Sequence, residues 1–241
     1  MFKRLNKLFS DLRTLRGLPS VTIHLAGAET AGNDPFYARL AADFYRYVSR
    51  RHPRLLVVGA FEFGVALCEL PRSPGGYEAL IEASGRRNVK KALRLGYEFK
   101  RIDFNAFLAD IRDIRRSTDS RQGEVTGYMK NDTVEACRNP PSKSNVHDYV
   151  YYGIVKEGRL VAYAGCLVSG DLCMIEHILG HANFLGDGVV PMLIAGMAGD
   201  MVAHYPRVKY YAYGTYFGGG ETMRRFKAKF AFQPHRVIWE R

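Results

Sequence analysis

Two glycines lie in the short segment that joins a predicted strand to a predicted helix. They are Gly186 and Gly188, and Asp187 separates them. Glycines at such a junction let the backbone approach a ligand, and the free N–H groups at the start of a helix attract anions. With Asn183 at the beginning of the segment, these residues predict a cradle for a pyrophosphate or another anion. A tight turn between the strand and the helix explains the same glycines equally well.

Three further residues have side chains suited to proton transfer. Glu176 and His177 lie in the predicted strand before these glycines, where a carboxylate or an imidazole can act as a general base. Because neighbours on a strand alternate, we expect the two side chains on opposite faces. Tyr213 lies at the end of a tyrosine-rich strand, where its phenol could protonate a leaving group. The alternative for all three is a structural role in a packed core.

The balance of charge indicates the kind of partner. The chain carries 35 Lys and Arg against 24 Asp and Glu, a formal net charge of +11. This excess favours polyanions such as nucleic acid, an anionic lipid surface or a small molecule with phosphates. Part of it lies on one predicted helix, whose basic residues are candidate nucleic-acid contacts: Arg86, Arg87, Lys90, Lys91 and Arg94. The alternative is a solvated helix face.

The elements that must position these residues are clearest in the second half of the chain. The predicted strands lie at 149–155, 160–168, 172–179, 208–213 and 236–239, and the predicted helices at 189–204 and 221–230. Short turn sequences join the first three strands, which are therefore antiparallel hairpins. Hairpins followed by a βαβ crossover predict an α/β fold with a mixed sheet and helices on its faces.

The first half of the chain has weaker patterns. Residues 1–16 have a basic amphipathic helical pattern, which predicts docking on the core or contact with an anionic membrane surface. We further predict strands at 21–25, within 55–70 and at 97–102, and helices at 35–51, 77–95 and 104–118. The polar stretch 120–148 is predicted to be a long loop, such as a lid or a binding loop, or two loops around a helix at 130–138.

Several classes of protein do not fit the sequence. The four cysteines lack the spacing of a zinc or redox motif and the histidines do not cluster with other ligands, so we expect no metal site. No segment of the sequence resembles a cleavable signal with an apolar core, and no apolar stretch reaches the roughly 20 residues of a membrane span. We therefore expect a cytoplasmic protein with reduced thiols and no transmembrane segment.

The order of elements and the glycine segment resemble the GNAT (Gcn5-related N-acetyltransferase) superfamily. In that superfamily a loop of the form Q/R-x-x-G-x-G/A lies between strand and helix, and its amides bind the pyrophosphate of acyl-CoA. Gly186 and Gly188 match the two glycines, whereas Asn183 replaces the Gln or Arg. The resemblance implies a mixed, largely antiparallel sheet flanked by helices.

Two segments are similar to one branch, the FemABX-type peptidyltransferases. The basic segment 84–96 resembles a helix of those proteins, and Phe226-Lys227-Ala-Lys-Phe-Ala231 resembles their F-K-x-x-F-G motif with Ala at the last position. The resemblance implies that Lys227 lies in the donor channel near the reacting carbonyl and that Phe226 helps to bind the donor. Well-characterised members carry two such domains, so we expect an N-terminal helix and a truncated second GNAT-like portion at 1–75, and a GNAT-type acyltransferase domain at 76–241.

The resemblance and the charge together predict an acyltransferase that forms an amide bond. We favour transfer of an aminoacyl group from aminoacyl-tRNA to the amine of a small acceptor, with tRNA as a partner and co-substrate and without a further cofactor. The catalytic candidates are Lys227, Glu176 and Tyr213. One alternative is an acyl-CoA-dependent N-acyltransferase, and a second is a non-catalytic module that binds RNA or a membrane surface.

Overall fold

The computed structural model describes residues 17–27, 34–51, 59, 61–73, 75–118, 133–217 and 220–241. The strands in these ranges are β1 Ser20–His24, β2 Phe63–Glu69, β3 Glu98–Arg101, β4 His147–Lys156, β5 Arg159–Ser169, β6 Leu172–Gly180, β7 Tyr210–Thr215 and β8 Gln233–Glu240. The helices are α1 Pro35–Ser49, α2 Gly76–Leu80, α3 Ala83–Arg94, α4 Leu108–Arg116, α5 Val189–His204 and α6 Glu221–Lys229. Short 3-10 turns at Phe104–Phe107 and Ala182–Asp187 precede α4 and α5.

All eight strands lie in one sheet, in the order β1-β8-β2-β7-β6-β5-β4-β3. The pairs β1/β8 and β6/β7 are parallel and the others are antiparallel. The expected mixed, largely antiparallel sheet is therefore confirmed. The division at residue 75 stays a prediction, and β2, from the first part of the chain, lies between β7 and β8.

The core has layers on both faces of the sheet. Helix α5 is apolar along most of its length, and residues such as Leu193, Ile194 and Met197 are fully buried between the sheet and its neighbours. Helix α1 covers the opposite face through Phe44 and Val48. Each such side chain contributes about 1.5–3 kcal/mol when it leaves water, so these two helices fix the sheet between them.

Most predicted elements are present, and the differences have local causes. The expected helix 77–95 is two helices, because Ile81 and Glu82 are extended and the Glu82 N–H donates to the carbonyl of Lys229 at 3.0 Å instead of continuing the helix. The suggested helix at 130–138 is wrong for the described residues 133–138, which have no regular structure. The predicted helix 1–16 lies outside the described residues. No helix in the described part of the chain has the length and apolar character that a membrane crossing requires.

Helices α3 and α5 approach each other closely at one glycine. Gly188 precedes α5 with a φ of +86°, and a Cβ added there would lie 2.3 Å from the carbonyl oxygen of Asn88 in α3. Both the left-handed backbone and the neighbouring backbone atoms exclude a side chain. The second glycine of the predicted cradle is therefore needed for helix packing.

We predict that Gly188→Ala destabilises the fold by about 2–4 kcal/mol, because it combines backbone strain with a clash against Asn88. Gly186→Ala is the matched control, since Gly186 has no positive φ and no atom of the described residues lies within 4 Å of the added Cβ. It should change the stability by less than about 0.5 kcal/mol. Urea unfolding of both variants checks this, and equal effects would contradict the packing role of Gly188.

Candidate functional site

The parallel strands β6 and β7 separate before either of them ends. Their ladder pairs Leu172, Cys173 and Met174 with Tyr210, Tyr211 and Ala212. Beyond this point β6 continues to Gly180 against β5, whereas β7 continues to Thr215 against β2. Among the described strands none pairs with the facing edges of β6 and β7 there, which leaves backbone N–H and C=O groups for a ligand inserted between the strands. We call this gap the β6/β7 opening.

A β-bulge lies in β6 where it leaves β7. Gly165 of β5 pairs with His177 and Cys166 pairs with Ile175, so Glu176 is the additional residue. The expectation that Glu176 and His177 lie on opposite faces is wrong, because a bulge interrupts the alternation of the strand. Glu176 contacts the hydroxyl of Tyr149, and His177 contacts the ring of Tyr151, two residues further along the same face of β4.

The Glu176 carboxylate borders a cavity but has a specific partner. The hydroxyl of Tyr149 donates to its Oε2 at 2.9 Å. Although one edge of Glu176 is open to solvent, the surrounding protein desolvates the carboxylate and raises its pKa, and the hydrogen bond from Tyr149 only partly opposes this. A carboxylate with a raised pKa is a better proton acceptor near neutral pH than an ordinary glutamate.

His177 is held as a neutral imidazole. Its ring lies 6.0 Å from the ring of Tyr151 and 5.4 Å from that of Tyr163, and burial, with a smaller contribution from Arg115, lowers its pKa to about 4. Its Nε2 is buried and has no hydrogen-bond partner among the described residues. The ring lies over Gly165, where a Cβ would be 2.3 Å from its Cε1, so the glycine makes room for the histidine.

Lys227 belongs to α6, and its side chain reaches the end of β7 on the side of the sheet that α5 covers. It is only 5% exposed, and its Nζ donates to the carbonyl of Thr215 at 2.8 Å. The same Nζ lies 4.7 Å from the ring centroid of Tyr213. Burial lowers the pKa of Lys227 to about 8, so the side chain is charged below this pH but readily loses its proton above it.

The structure also brings Tyr213 to this position. Its ring packs at 5.7 Å from that of Phe232, and burial raises its pKa to about 12, so the phenol keeps its proton near neutral pH. Phe226 packs at 5.0 Å from Phe230 in the same core. Lys227 and Tyr213 are therefore neighbours on one face of the sheet, whereas Glu176 lies on the other face beside the same opening.

The segment that is predicted to bind an anion contains a carboxylate of its own, that of Asp187. The hydroxyl of Tyr97 donates to Oδ2 of Asp187 at 2.7 Å, and the ammonium of Lys91 lies 3.4 Å from Oδ1. Lys91 also donates to the carbonyl of Gly186 at 2.7 Å. Asn183, at the start of the turn, donates its N–H to Nδ1 of His181. The glycine segment is thereby tied to α3, and Asp187 adds a negative charge to it.

The five candidate residues of the basic helix fall into two groups, those that bond to other parts of the chain and those that are exposed. Lys91 binds the glycine segment, and Arg86 donates to the carbonyl of Ile81. Arg87, Lys90 and Arg94 are exposed and follow each other at i, i+3 and i+7, so they form a row along one side of α3. We call these three residues the α3 basic row.

Sequence reasoning missed the contacts that join the two FemABX-like segments, one between the residues that flank them and one between the segments themselves. Arg225 of α6 donates to both carboxylate oxygens of Glu82 at 2.6 and 2.9 Å. Gly85 of α3 lies against Lys229 and Phe230, which a Cβ at this glycine would approach to 3.3 and 3.4 Å. The two segments are distant in sequence, and no spacing rule connects them. Among the described residues, no group of three or more His, Cys, Asp and Glu is arranged to hold a metal ion.

Comparison with solved structures identifies the fold. FemX aligns with a TM-score of 0.53 and 10% identity over 71% of this chain and 59% of its own length. L-PGS from Bacillus licheniformis aligns with a TM-score of 0.48 and 14% identity over 72% and 59%. A tandem GNAT protein from the clavulanic acid biosynthesis pathway aligns with a TM-score of 0.47 and 12% identity over 72% and 50%.

The similarity to FemX shows that the aligned part of this chain has the FemX fold, which confirms the expected FemX-like architecture. The chain spans between half and three fifths of the length of these three proteins. No protein-family model matches the sequence, and no curated relative matches it.

The lowered pKa of Lys227 predicts how stability changes with pH. Between pH 8 and 10.5 the unfolded chain keeps the lysine proton and the folded chain loses it, so the free energy of unfolding rises with pH. Relative to Lys227→Met, the wild type should gain about 2–3 kcal/mol across this interval. Urea unfolding of both proteins in steps of pH measures the difference, and a constant difference would show that Lys227 titrates normally.

Proposed function

We propose that this chain is an N-acyltransferase that transfers an aminoacyl group from aminoacyl-tRNA to the amine of a small acceptor. The observation that carries the proposal is the β6/β7 opening. Its two edges have no strand partner among the described residues, and it has a carboxylate on one side and an ammonium with a phenol on the other. With aminoacyl-tRNA as the donor, the partner is tRNA and the reaction takes place in the cytoplasm. The reaction needs no further cofactor.

The chemistry follows from the placement of three side chains. Glu176 takes a proton from the acceptor ammonium, and the free amine attacks the ester carbonyl of the donor. The Lys227 ammonium stabilises the oxyanion of the tetrahedral intermediate. The new C–N bond forms, the C–O bond to the ribose breaks, and Tyr213 gives its proton to the departing ribose oxygen and regains one from the amine nitrogen through solvent. Holding the two substrates in the opening contributes further by positioning.

The glycine segment supports aminoacyl-tRNA over acyl-CoA as the donor. A pyrophosphate at this segment would meet the carboxylate of Asp187, which is held there by Tyr97 and Lys91. Gly188, which the CoA-binding loop uses to approach phosphate, here faces the backbone of Asn88. Asn183 brings no positive charge in place of the Gln or Arg of the family.

The α3 basic row gives a surface for the tRNA backbone. Arg87, Lys90 and Arg94 are exposed, and no ion pair neutralises them within the described part of the chain. Three basic side chains in a row on a helix can follow successive phosphates. Helix α3 is joined to α6 through Glu82 and Arg225, so the row is fixed relative to the helix that carries Lys227.

The acyl-CoA alternative keeps one specific observation in its favour. Gly186 faces open space, so a ligand could still approach this part of the backbone. Under this alternative the chemistry at the β6/β7 opening is unchanged, and a thioester replaces the ester.

We predict that Lys227→Met lowers kcat for aminoacyl transfer by about 100-fold with little change in KM for the donor, because the ammonium acts on the charge of the transition state. The rate of transfer from charged tRNA to a primary amine is measured as the loss of the radiolabelled aminoacyl group from the tRNA. Lys229→Met, on the same helix and partly exposed, is the matched control and should retain turnover within about twofold. Full turnover in Lys227→Met would remove the role of this lysine.

Calorimetric titration with CoA near physiological salt separates the two donors. We expect no saturable binding, because Asp187 repels the pyrophosphate. Saturable one-to-one binding that Gly186→Leu weakens would make the protein an acyl-CoA enzyme. Position 186 suits this control because no atom of the described residues lies within 4 Å of an added Cβ, so we expect the fold to accept the leucine.

A further inference from the structure

A cavity of about 560 Å³ lies between α1 and the sheet, on the Glu176 side of the β6/β7 opening. Helix α1 and Phe61 form one wall, the bulged part of β6 forms the other, and Gly214 of β7 borders it. Its volume is in the range of small-molecule sites. The cavity therefore opens towards the place where β6 and β7 separate, and an occupant would lie next to the Glu176 carboxylate.

The charge of the cavity is opposite to that of the protein. The chain carries a net charge of +11, yet the described lining residues include two carboxylates and no Lys or Arg. Asp43 is already bonded by Arg46. Glu176 has the Tyr149 hydroxyl on Oε2 and no basic partner among the described residues. One uncompensated carboxylate at the cavity wall favours a cation and disfavours an anion.

The remaining walls are apolar and aromatic. Phe44, Tyr47 and Phe61 line the α1 side, with the rings of Tyr47 and Phe61 5.1 Å apart. Such a wall binds an apolar body by removing it from water. His177 also lines the cavity, but its Nε2, which has no partner among the described residues, is buried against Gly165 and is not exposed to the cavity.

We propose that this cavity is the acceptor site and that the acceptor is a primary amine carried on an apolar body, with its ammonium on Glu176. The aromatic wall holds the body, and the position of Glu176 at the bulge directs the nitrogen to the β6/β7 opening. Calling the ligand an acceptor rests on the proposed acyl transfer, whereas the binding of an apolar amine does not.

Three probes of nearly equal shape test the selectivity at pH 7.5: 2-phenylethylamine, 2-phenylethanol and 3-phenylpropanoate. By calorimetry with the full-length protein, we expect the amine to bind at least tenfold more tightly than the alcohol, and the carboxylate not to bind. The single tryptophan reports the location, since Trp239 packs 5.7 Å from Phe44 and donates to the carbonyl of Phe61. Its fluorescence should change with the same dissociation constant.

The variant Glu176→Gln should lower the affinity for the amine to that for the alcohol and leave the affinity for the alcohol unchanged. Glu78→Gln, an exposed glutamate on α2 outside the cavity lining, is the matched control and should change neither. Unchanged binding of the alcohol shows that the Gln variant is folded around the cavity.

Three results would overturn the proposal: no saturable binding of the amine at millimolar concentration, equal binding of the amine and a neutral or anionic probe, or an amine preference that survives in Glu176→Gln. The wild-type series alone decides the first two, whether or not the variant folds. The titrations contain no donor. Failure of acyl transfer with amine binding intact would refute only the proposed function, and transfer to other acceptors without binding here would refute only this acceptor site.

Discussion

The end of the β6/β7 ladder after Met174 and Ala212 is the constraint on which the candidate site depends. Beyond it β7 stays paired with β2, while the bulge at Glu176 turns β6 along β5. Because β7 is held in place by β2 and β6 is bent away by its additional residue, the two strands separate. The gap leaves part of each strand without a strand partner among the described residues, and the cavity on the α1 side borders it.

The two faces supply different chemistry to this gap. On the α5 side, burial lowers the pKa of Lys227 and raises that of Tyr213, so an easily deprotonated ammonium lies beside a phenol that keeps its proton. On the α1 side, desolvation raises the pKa of Glu176. The contact of Arg225 with Glu82 joins α6 to the start of the basic helix, so the lysine and the proposed tRNA surface lie on neighbouring helices.

The sequence predicts the elements of the second half well, because apolar runs with clear turns between them determine strands and the buried helix α5 directly. It fails where tertiary contacts override local patterns. The bulge at Glu176 depends on pairing with β5, and the break before α3 depends on a hydrogen bond from Glu82 to Lys229. The sequence also does not reveal the role of Gly188, since a glycine that lets a phosphate approach the backbone cannot be distinguished by sequence from a glycine that lets a second helix approach it.

The most direct test is a crystal structure with a non-hydrolysable donor, an aminoacyl group joined by an amide to 3′-amino-3′-deoxyadenosine. We expect its acyl carbonyl between β6 and β7, within hydrogen-bonding reach of Lys227 and facing the cavity beside Glu176. An analogue bound at the glycine segment or elsewhere on the surface, with an empty gap between the two strands, would contradict the assignment of this gap as the site of acyl transfer.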